Sequence, residues 1–270
     1  MTVPRGLIGV VHLAPLPGDP LHAGDEGFAG VERRALEDAA ALARGGADAI
    51  IVENFGSAPF PKGTEGQRIP PHHVATLALV ARECGRHTGL PVGVNCLRND
   101  AVSAVGIAAA ASLAFVRVNV HTGAYVTDQG IIEGEAATTL RYRRALGAEG
   151  RVAVLADILV KHATPLAPLD PAQATRDALE RGLADAVIVT GEATGAPVSR
   201  PLLEAVRAAA GDRPVLVGSG LSPANAADLA PLADGAIVGT WLKRGGDVRA
   251  PVDEARVRDL AAALRGRFRA

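Results

Sequence analysis

The sequence predicts a single (β/α)8 barrel across residues 1–270, a closed ring of eight parallel strands with helices outside. Short Val/Ile-rich runs alternate with Ala/Leu-rich segments of helical periodicity, which is typical of parallel strands connected by helices. Eight such units in 270 residues match this barrel in both count and size. The alternative, an open doubly wound sheet, normally has a G-x-G-x-x-G turn after its first strand, whereas this strand runs into "HLAPLPG". No linker or break in composition divides the chain, so we predict one domain.

The eight strands are recognised as apolar runs bounded by turn residues. In chain order they are predicted at 7–12, 49–54, 91–95, 115–120, 152–157, 186–191, 214–220 and 235–240. The segment 31–46 repeats apolar residues at helical steps and stops at a pair of glycines. The segments 170–182 and 222–230 begin with Asp-Pro and Ser-Pro, which are typical of helix starts, and the last helix is predicted at 252–268.

The composition excludes several classes of partner. A formal net charge of −1 leaves no basic surface for nucleic acid, and 3% aromatic residues make base-stacking surfaces improbable. The longest uncharged run, between Asp100 and Arg117, is shorter than the ~20 residues that a membrane span needs. Two cysteines, Cys84 and Cys96, form no metal-type pair and fit a reducing cytoplasm. We therefore expect a small-molecule partner; the barrel is compatible with a homo-oligomer, although no surface segment identifies an interface.

Polar residues stand at the ends of six of the predicted strands. Side chains alternate along a strand, so in "FVRVNV" Arg117 and Asn119 share the face opposite the valines and point to the barrel axis. The same argument applies to the other strand ends, which carry His12, Glu53, Asn95, Asp157 and Thr190. Barrel interiors are normally filled with branched apolar side chains, and unpaired polar groups there are costly. Together these residues predict a polar pocket at the carboxyl ends of the strands.

Three unusually long connections, 13–30, 54–70 and 121–135, follow strands and lie at the same end of the predicted barrel. Arg98, just after the third strand, is a candidate to hold a carboxylate or phosphate with both guanidinium nitrogens, while Asn99 or Asp100 caps the next helix. Asp128, with its neighbour Gln129, is predicted either to contact sugar hydroxyls or to form a plain Asx-turn. Glu192 and Thr194 offer similar contacts or only a flexible loop.

The seventh and eighth strands run into glycine-rich turns. The first of these is "GSG" (Gly218, Ser219, Gly220) and the second begins with Gly239 and Thr240. Glycine lets backbone N–H groups approach an anion, and helix N-termini concentrate such donors. In barrels, the loops after strands seven and eight form the usual phosphate site. These five residues are therefore predicted to bind a phosphate.

Motifs along nearly the whole chain resemble the BtpA/SgcQ family. They are "GVVHLAPLPG", "DAIIVENFG", "GVNCLRND", "VRVNVHTGA", "TDQG", "ADILVKHA", "VLVGSG" and "GAIVGTWLK", between residue 7 and about residue 258. The resemblance implies a (β/α)8 barrel of the ribulose-phosphate-binding type. One class of members is described as a photosystem I biogenesis factor, others belong to sugar-transport gene regions, and some are labelled phosphoribosylanthranilate isomerase. The resemblance implies the fold and assigns no chemistry to particular residues.

The leading functional prediction is an enzyme for a small phosphorylated sugar or a nucleoside-like compound. Glu53 and Asp157 are the candidate acid and base, and His12 is a second candidate base. Isomerisation, nucleosidic cleavage and retro-aldol cleavage all remain open. The alternatives are a non-catalytic biogenesis or assembly factor that uses the barrel as a scaffold, and a sugar-phosphate sensor. No cofactor is expected; a divalent metal held by His12, Glu53 and Asp157 is a minor alternative.

Lys161 raises a separate question in the segment "ADILVKHA". Asp157 and Lys161 are four residues apart and share a face whether the segment is extended or helical. An ion pair between them is therefore expected. A neighbouring carboxylate raises the pKa of a lysine, so we rank a nucleophilic, Schiff-base role for Lys161 below an ion pair or a contact with a substrate anion.

Overall fold

Eight of the eleven strands close into a parallel barrel, as the sequence predicts. The structure is a computed structural model that describes residues 3–24, 26–191 and 193–269. Its strands are β1 (Gly6–His12), β2 (Ala49–Glu53), β3 (Val92–Asn95), β4 (Phe115–Val118), β5 (Ala124–Thr127), β6 (Gly130–Glu133), β7 (Ala153–Ile158), β8 (Ala163–Pro165), β9 (Ala186–Val189), β10 (Val215–Val217) and β11 (Gly235–Val238). The barrel runs in the order β1-β2-β3-β4-β7-β9-β10-β11, and β11 pairs with β1 to close it.

Helices connect the barrel strands and pack around them. They are α1 (Gly27–Gly45), α2 (Pro71–Thr88), α3 (Ala101–Ala111), α4 (Ala136–Ala145), α5 (Pro171–Arg176), α6 (Arg200–Ala210), α7 (Ala226–Leu229) and α8 (Glu254–Leu264). One turn of π-helix, Asp177–Arg181, follows α5, and short 3-10 turns follow β2, α7 and β11. In the part of the chain that the structure describes, none of the helices combines the length and apolarity that crossing a bilayer requires.

Helix ends occur where the sequence places capping residues. Asp100 caps α3 by accepting a hydrogen bond from the Ser103 N–H at 2.9 Å, and Asp170 caps α5 in the same way. Helix α1 ends at the predicted glycine pair, where Gly46 takes a left-handed conformation with φ of 95°. These caps fix where α3 and α5 begin and where α1 ends.

The buried apolar side chains form two layers, one inside the barrel and one between the strands and the helices. Phe115, Leu155 and Ile188 are among the residues inside, whereas Val116 and Val118 face the helices. This is the alternation expected for β4, and it continues upward because Arg117 follows Phe115 on the inner face. The inner apolar layer therefore forms the floor beneath the polar strand ends.

A small antiparallel sheet, β6-β5-β8, covers one side of the carboxyl end of the barrel and was not predicted. Its strands come from the long connection after β4 and from the segment after β7. Val120, Tyr125, Ile132 and Val160 form a separate small core that joins this sheet to the barrel. The third long connection, 121–135, thus lies at the predicted end and is a hairpin rather than a loop.

The helix predicted at 222–230 is the main correction among the helices. Residues 223–225 form a turn, and α7 itself spans only Ala226–Leu229. Asn225 causes this, because its Oδ1 accepts the Ser222 N–H at 2.8 Å and its Nδ2 donates to the Gly220 carbonyl at 2.9 Å. These bonds satisfy the backbone in a turn before the helix begins. The loop after β10 is therefore not followed directly by a helix N-terminus.

Candidate functional site

A cavity of about 830 Å³ opens at the carboxyl ends of the barrel strands. Its size lies within the range of small-molecule sites. Most of the residues predicted from the sequence line it, namely His12, Glu53, Asn95, Arg98, Arg117, Asn119, Lys161, Gly218, Ser219, Gly220, Gly239 and Thr240. Asp157, Thr190 and Asp128 do not. The barrel thus brings together side chains from loops more than 200 residues apart in the chain.

Arg117 lies between the two predicted carboxylates. Its Nε and Nη2 donate to the two oxygens of Asp157 at 3.0 and 3.1 Å, and its Nη1 donates to Oε1 of Glu53 at 3.4 Å. Both carboxylates are almost fully buried, and the Asp157 side chain has no exposed surface. A buried charge must be paired to be tolerated, and the bidentate guanidinium pairs Asp157 completely.

Two asparagines complete this buried network. Asn119 donates from Nδ2 to Asp157 Oδ2 at 2.7 Å, and Asn95 donates to Glu53 Oε1 at 3.2 Å. The Oδ1 atom of Asn119 is buried and has no partner among the described residues, although Asn119 lines the cavity. An unpaired amide oxygen on a cavity wall is suited to accept a hydrogen bond from a ligand hydroxyl.

Glu53 and His12 present groups that the network leaves unused. Oε2 of Glu53 lies 3.9 Å from Nε2 of His12, and the His12 ring packs on Phe55 with centroids 4.5 Å apart. Burial, followed by the charges of Lys243 and Lys161, holds the pKa of His12 well below its ordinary value. His12 is therefore a neutral imidazole at neutral pH, able to accept a proton from a bound ligand.

The expected ion pair between Asp157 and Lys161 is wrong. Asp157 pairs with Arg117 and Asn119, and across residues 3–24, 26–191 and 193–269 the Lys161 ammonium makes no hydrogen bond or ion pair. Strand β7 ends at Ile158, and Leu159 then has φ of 49°, so the chain bends and the four-residue spacing no longer defines one face. Lys161 lines the cavity, whereas Asp157 lies behind Arg117.

The charge environment of Lys161 also differs from the expectation. The pKa of Lys161 is lowered to about 8. Burial is the main cause and the positive charge of Arg117 is the next, and both outweigh the negative charges of Glu53 and Asp157, which act to raise this pKa. A buried lysine beside guanidinium groups is less costly as a neutral amine. At pH 7, one unit below this pKa, roughly a tenth of Lys161 is therefore unprotonated.

Arg98 and Thr190 hold the backbone of Lys161. Arg98 Nη2 donates to the Lys161 carbonyl at 2.7 Å, and the Lys161 N–H donates to Thr190 Oγ1 at 3.1 Å. Arg98 still lines the cavity, and burial lowers its pKa. Thr190 is buried away from the cavity, so its direct role is to position Lys161.

The two glycine-rich turns form one side of the cavity. Gly220 has φ of 65°, and a Cβ there would lie 2.2 Å from the Ala196 carbonyl oxygen. Only glycine fits at this position. The Ser219 hydroxyl accepts the Gly191 N–H at 2.7 Å and donates to the Ala196 carbonyl at 3.1 Å, so its side chain fastens the loop after β9. Gly239 likewise leaves room for His12, because a Cβ at position 239 would lie only 2.8 Å from Cε1 of the His12 ring.

Three further predicted contacts have different outcomes. Asp128 is exposed in the two-residue turn between β5 and β6, where Gln129 Nε2 donates to its carboxylate at 2.6 Å. Thr194 lines the cavity and pairs with His162 at 3.0 Å. Glu192 lies outside the described residues.

The alternative of a divalent metal on His12, Glu53 and Asp157 finds no ligand set. Within the described residues there is no group of three or more His, Cys, Asp or Glu side chains arranged to hold a metal ion. Arg117 separates the two carboxylates and occupies both oxygens of Asp157.

Lys243 is the functional-site residue that the sequence reasoning missed. It follows the predicted phosphate turn, is almost fully buried, lines the cavity, and donates from Nζ to Asp38 Oδ2 at 2.7 Å. This pair ties the turn after β11 to α1. A lysine three residues after Thr240 is visible in "GTWLK", but its partner lies 205 residues earlier and no sequence pattern connects them.

Comparisons with known proteins agree with this architecture. The BtpA family model matches residues 4–266. A photosystem I biogenesis protein of Synechocystis is 46% identical over 96% of this chain and 87% of its own. The sgc region protein SgcQ of Escherichia coli is 30% identical over 94% of this chain and 91% of its own.

Solved structures share the fold at low sequence identity. Orotidine 5'-phosphate decarboxylase of Pyrococcus horikoshii superimposes with a TM-score of 0.58 at 14% identity, over 96% of this chain and 100% of its own. Phosphoribosyl anthranilate isomerase of Thermus thermophilus gives 0.55 at 16% identity, over 96% and 98%. These likenesses establish a TIM barrel.

Proposed function

The chain belongs to the BtpA family, and from that premise we propose that it is an enzyme for a small phosphorylated sugar. The observation that carries the proposal is the cavity itself. Its lining combines the glycine turns after β10 and β11 with ionisable groups from β1, β2 and β4. A scaffold has no need to bury such groups around an open space of about 830 Å³.

The phosphate would bind at the turns that contain Gly220 and Thr240. This position corresponds to the phosphate site commonly found in TIM barrels. The names of two structural neighbours, orotidine 5'-phosphate decarboxylase and phosphoribosyl anthranilate isomerase, refer to phosphorylated ligands. Since α7 is short and begins after a turn, the donors would be the N–H groups of the turns rather than a helix end.

The reacting end of the sugar would lie against Glu53, His12 and Asn119. Oε2 of Glu53 and the neutral imidazole of His12 can exchange protons with a ligand, and Oδ1 of Asn119 can accept a hydrogen bond from a hydroxyl. This arrangement suits reactions that begin with proton transfer at a sugar carbon or hydroxyl. Isomerisation and retro-aldol cleavage belong to this class, and nucleosidic cleavage would use the same groups to protonate the leaving base and to activate water.

Asp157 would act as a positioning residue in this scheme. Its carboxylate is saturated by Arg117 and Asn119 and does not line the cavity. By fixing Arg117, it fixes the guanidinium that holds Glu53. Glu53 is accordingly the stronger candidate for acid–base catalysis.

The test combines ligand binding with turnover. Ribulose 5-phosphate and ribose 5-phosphate, each beside its unphosphorylated sugar, are titrated by calorimetry and assayed for conversion. We expect the phosphorylated sugars to bind more tightly, and Glu53→Gln to retain binding while turnover falls by about 10²–10⁴-fold. Glu204→Gln, an exposed carboxylate change on α6, is the matched control and should leave both unchanged. Unchanged turnover in Glu53→Gln, or no preference for phosphate, would contradict the proposal.

A second candidate function is that of a biogenesis or assembly factor. It is favoured by the name of the Synechocystis relative, which is 46% identical to this chain. Such a role would depend on the outer surface, where Val126 and Ile131 of the small sheet are exposed apolar residues. If the phosphorylated sugars neither bind nor react, this candidate becomes the better account.

A further inference from the structure

Lys161 carries an amine that the proposed function leaves without a role. It lines the cavity, and no described residue takes its ammonium as a hydrogen-bond or ion-pair partner. Lys243, the other lysine on the cavity wall, is held by Asp38 at 2.7 Å. The third lysine, Lys62, does not line the cavity. Lys161 is thus the lysine amine that is available to a ligand in the cavity.

The main chain at Lys161 is held on both sides. Its N–H is fixed by Thr190 Oγ1 at 3.1 Å, and its carbonyl is fixed by Arg98 Nη2 at 2.7 Å. The next residue, His162, pairs with Thr194 at 3.0 Å. Residues from two loops, those after β3 and β9, thus restrain this turn, while no described residue pairs with the amine. Such a rigid backbone beneath an amine that faces the cavity is typical of a preorganised catalytic side chain.

The chain also uses arginine for nearly all of its basic positions. Only Lys62, Lys161 and Lys243 are lysines among its 28 Lys and Arg residues. Arginine offers more hydrogen bonds to an anion and stays protonated, so a simple anion clamp at position 161 has no need of lysine. A lysine is required where the group must lose its proton and act as a nucleophile.

The charges around Lys161 favour the free amine. Arg117 and Arg98 both lower the pKa of Lys161, and burial acts in the same direction and more strongly. The pKa of about 8 leaves a nucleophilic fraction at neutral pH.

We propose that Lys161 forms an imine with the carbonyl group of an aldose or ketose phosphate bound in this cavity. The inference rests on the proposed function for the phosphate site and deepens it, because it restricts the substrate to compounds with a free carbonyl. A nucleoside, whose anomeric carbon is already bonded to a base, is not such a compound.

The step balances with water as the sole by-product. The Nζ lone pair forms a bond to the carbonyl carbon, the C=O π electrons move to oxygen, and a proton passes from nitrogen to that oxygen. The resulting hydroxyl leaves as water by taking the proton that the Lys161 ammonium released, by way of Glu53 or His12, when it became the free amine; a protonated C=N bond remains. This cation then accepts the electrons released when a neighbouring C–H or C–C bond breaks, which is the chemistry of isomerisation or retro-aldol cleavage.

Borohydride trapping tests the imine directly. The full chain is incubated with ribulose 5-phosphate or dihydroxyacetone phosphate, reduced with sodium borohydride, and mapped by peptide mass spectrometry. We expect a reduced adduct at Lys161 and none at Lys62 or Lys243, with at least about tenfold more product than with ribulose or dihydroxyacetone. Lys161→Arg should abolish the adduct, whereas Lys62→Arg should not change it.

The possible outcomes separate the two proposals. Equal trapping of phosphorylated and unphosphorylated probes at Lys161 would keep the imine and overturn the phosphate site. Binding or turnover of the phosphorylated sugars without an adduct would overturn the imine and keep the proposed function. Equal labelling of all three lysines would identify non-specific chemistry and overturn the imine, and absence of both binding and adduct would overturn both.

A pH profile provides a readout independent of the folding of the variants. The trapping rate of the unmodified chain should rise with pH and level off above about pH 8, the pKa of Lys161. A rate that keeps rising to pH 10 would show an ordinary surface lysine and contradict the proposal.

Discussion

Arg117 is the residue on which the buried polar network depends. It holds Asp157 through two hydrogen bonds and Glu53 through one, and all three side chains are almost fully buried. We expect Arg117→Met to lower the free energy of unfolding by about 3–5 kcal/mol, because it leaves two buried carboxylates without a counter-charge. Urea denaturation measures the effect. Arg200→Met, which removes exposed ion pairs with Glu204 and Asp228, is the control and should cost less than about 1 kcal/mol. Equal losses would disprove the role of burial.

Lys161 gives the stability of the protein a distinctive dependence on pH. In the folded chain its pKa is about 8, below the 10.5 of an ordinary lysine. Between these values the unfolded chain binds a proton that the folded chain has released, so the free energy of unfolding rises with pH. Relative to Lys161→Met, the native chain should gain up to about 1.4 kcal/mol per pH unit between pH 8 and 10.5. The free energy of unfolding is measured for both proteins by urea denaturation at each pH. A free energy that changes with pH in the same way for both would contradict this prediction.

At the scale of residues, the sequence predicted which way side chains point better than it predicted which side chains pair. Alternation along β4 correctly placed Arg117 and Asn119 on the inner face. The partner of Asp157 was predicted wrongly because spacing within one segment was compared, whereas the true partner lies on the neighbouring strand. In the β4–β7 register Arg117 stands opposite Leu155, one diagonal step from Asp157. Such cross-strand distances are known only when the sheet is assembled.

At the scale of elements, the turn after β10 shows how one loop supports another. Gly220 packs against the backbone at Ala196 so closely that a Cβ would lie 2.2 Å from its carbonyl oxygen. The loop after β9 and the predicted phosphate turn are therefore a single packed unit.

The prediction for this unit is a comparison of two glycines. Gly220→Ala adds a backbone clash to the strain of a positive φ, whereas Gly89→Ala, at a left-handed position with φ of 71° and nothing within 4 Å of the added Cβ, adds only the strain. Gly89→Ala should cost about 1–2 kcal/mol in urea denaturation. Gly220→Ala should cost more and weaken binding of ribulose 5-phosphate by about tenfold or more in calorimetry. Equal stability losses with unchanged affinity would show that the turn adapts and lies apart from the ligand.

The elements differ in how far the sequence could predict them. Buried parallel strands read as continuous Val/Ile runs, which is why all eight barrel strands were found. The sheet β6-β5-β8 was missed because its strands are short and partly exposed, and because β5 pairs with β8, a segment more than thirty residues later in the chain. The helix predicted from residue 222 begins only at Ala226, and this late start depended on the side chain of Asn225.

At the scale of the whole molecule, the cavity requires a closed floor. Phe115 is fully buried inside the barrel, one layer below Arg117, and its register partner on β3 is Gly93. A Cβ at Gly93 would lie within 2.5 Å of three atoms of the Phe115 ring. The absence of a side chain at Gly93 thus makes room for the aromatic ring that fills the barrel beneath the site.

A double-mutant cycle tests this fit. Gly93→Ala should destabilise the protein by about 1–3 kcal/mol through overpacking, and Phe115→Leu by on the order of 1–2 kcal/mol through lost apolar burial. Because the smaller side chain gives the new methyl group room, the double variant should be more stable than the sum of the single losses predicts, by about 0.5–3 kcal/mol. Urea denaturation of all four proteins gives the coupling energy. Simple additivity would mean that the ring can move aside without cost, and that the barrel floor beneath Arg117 is less rigid than its packing indicates.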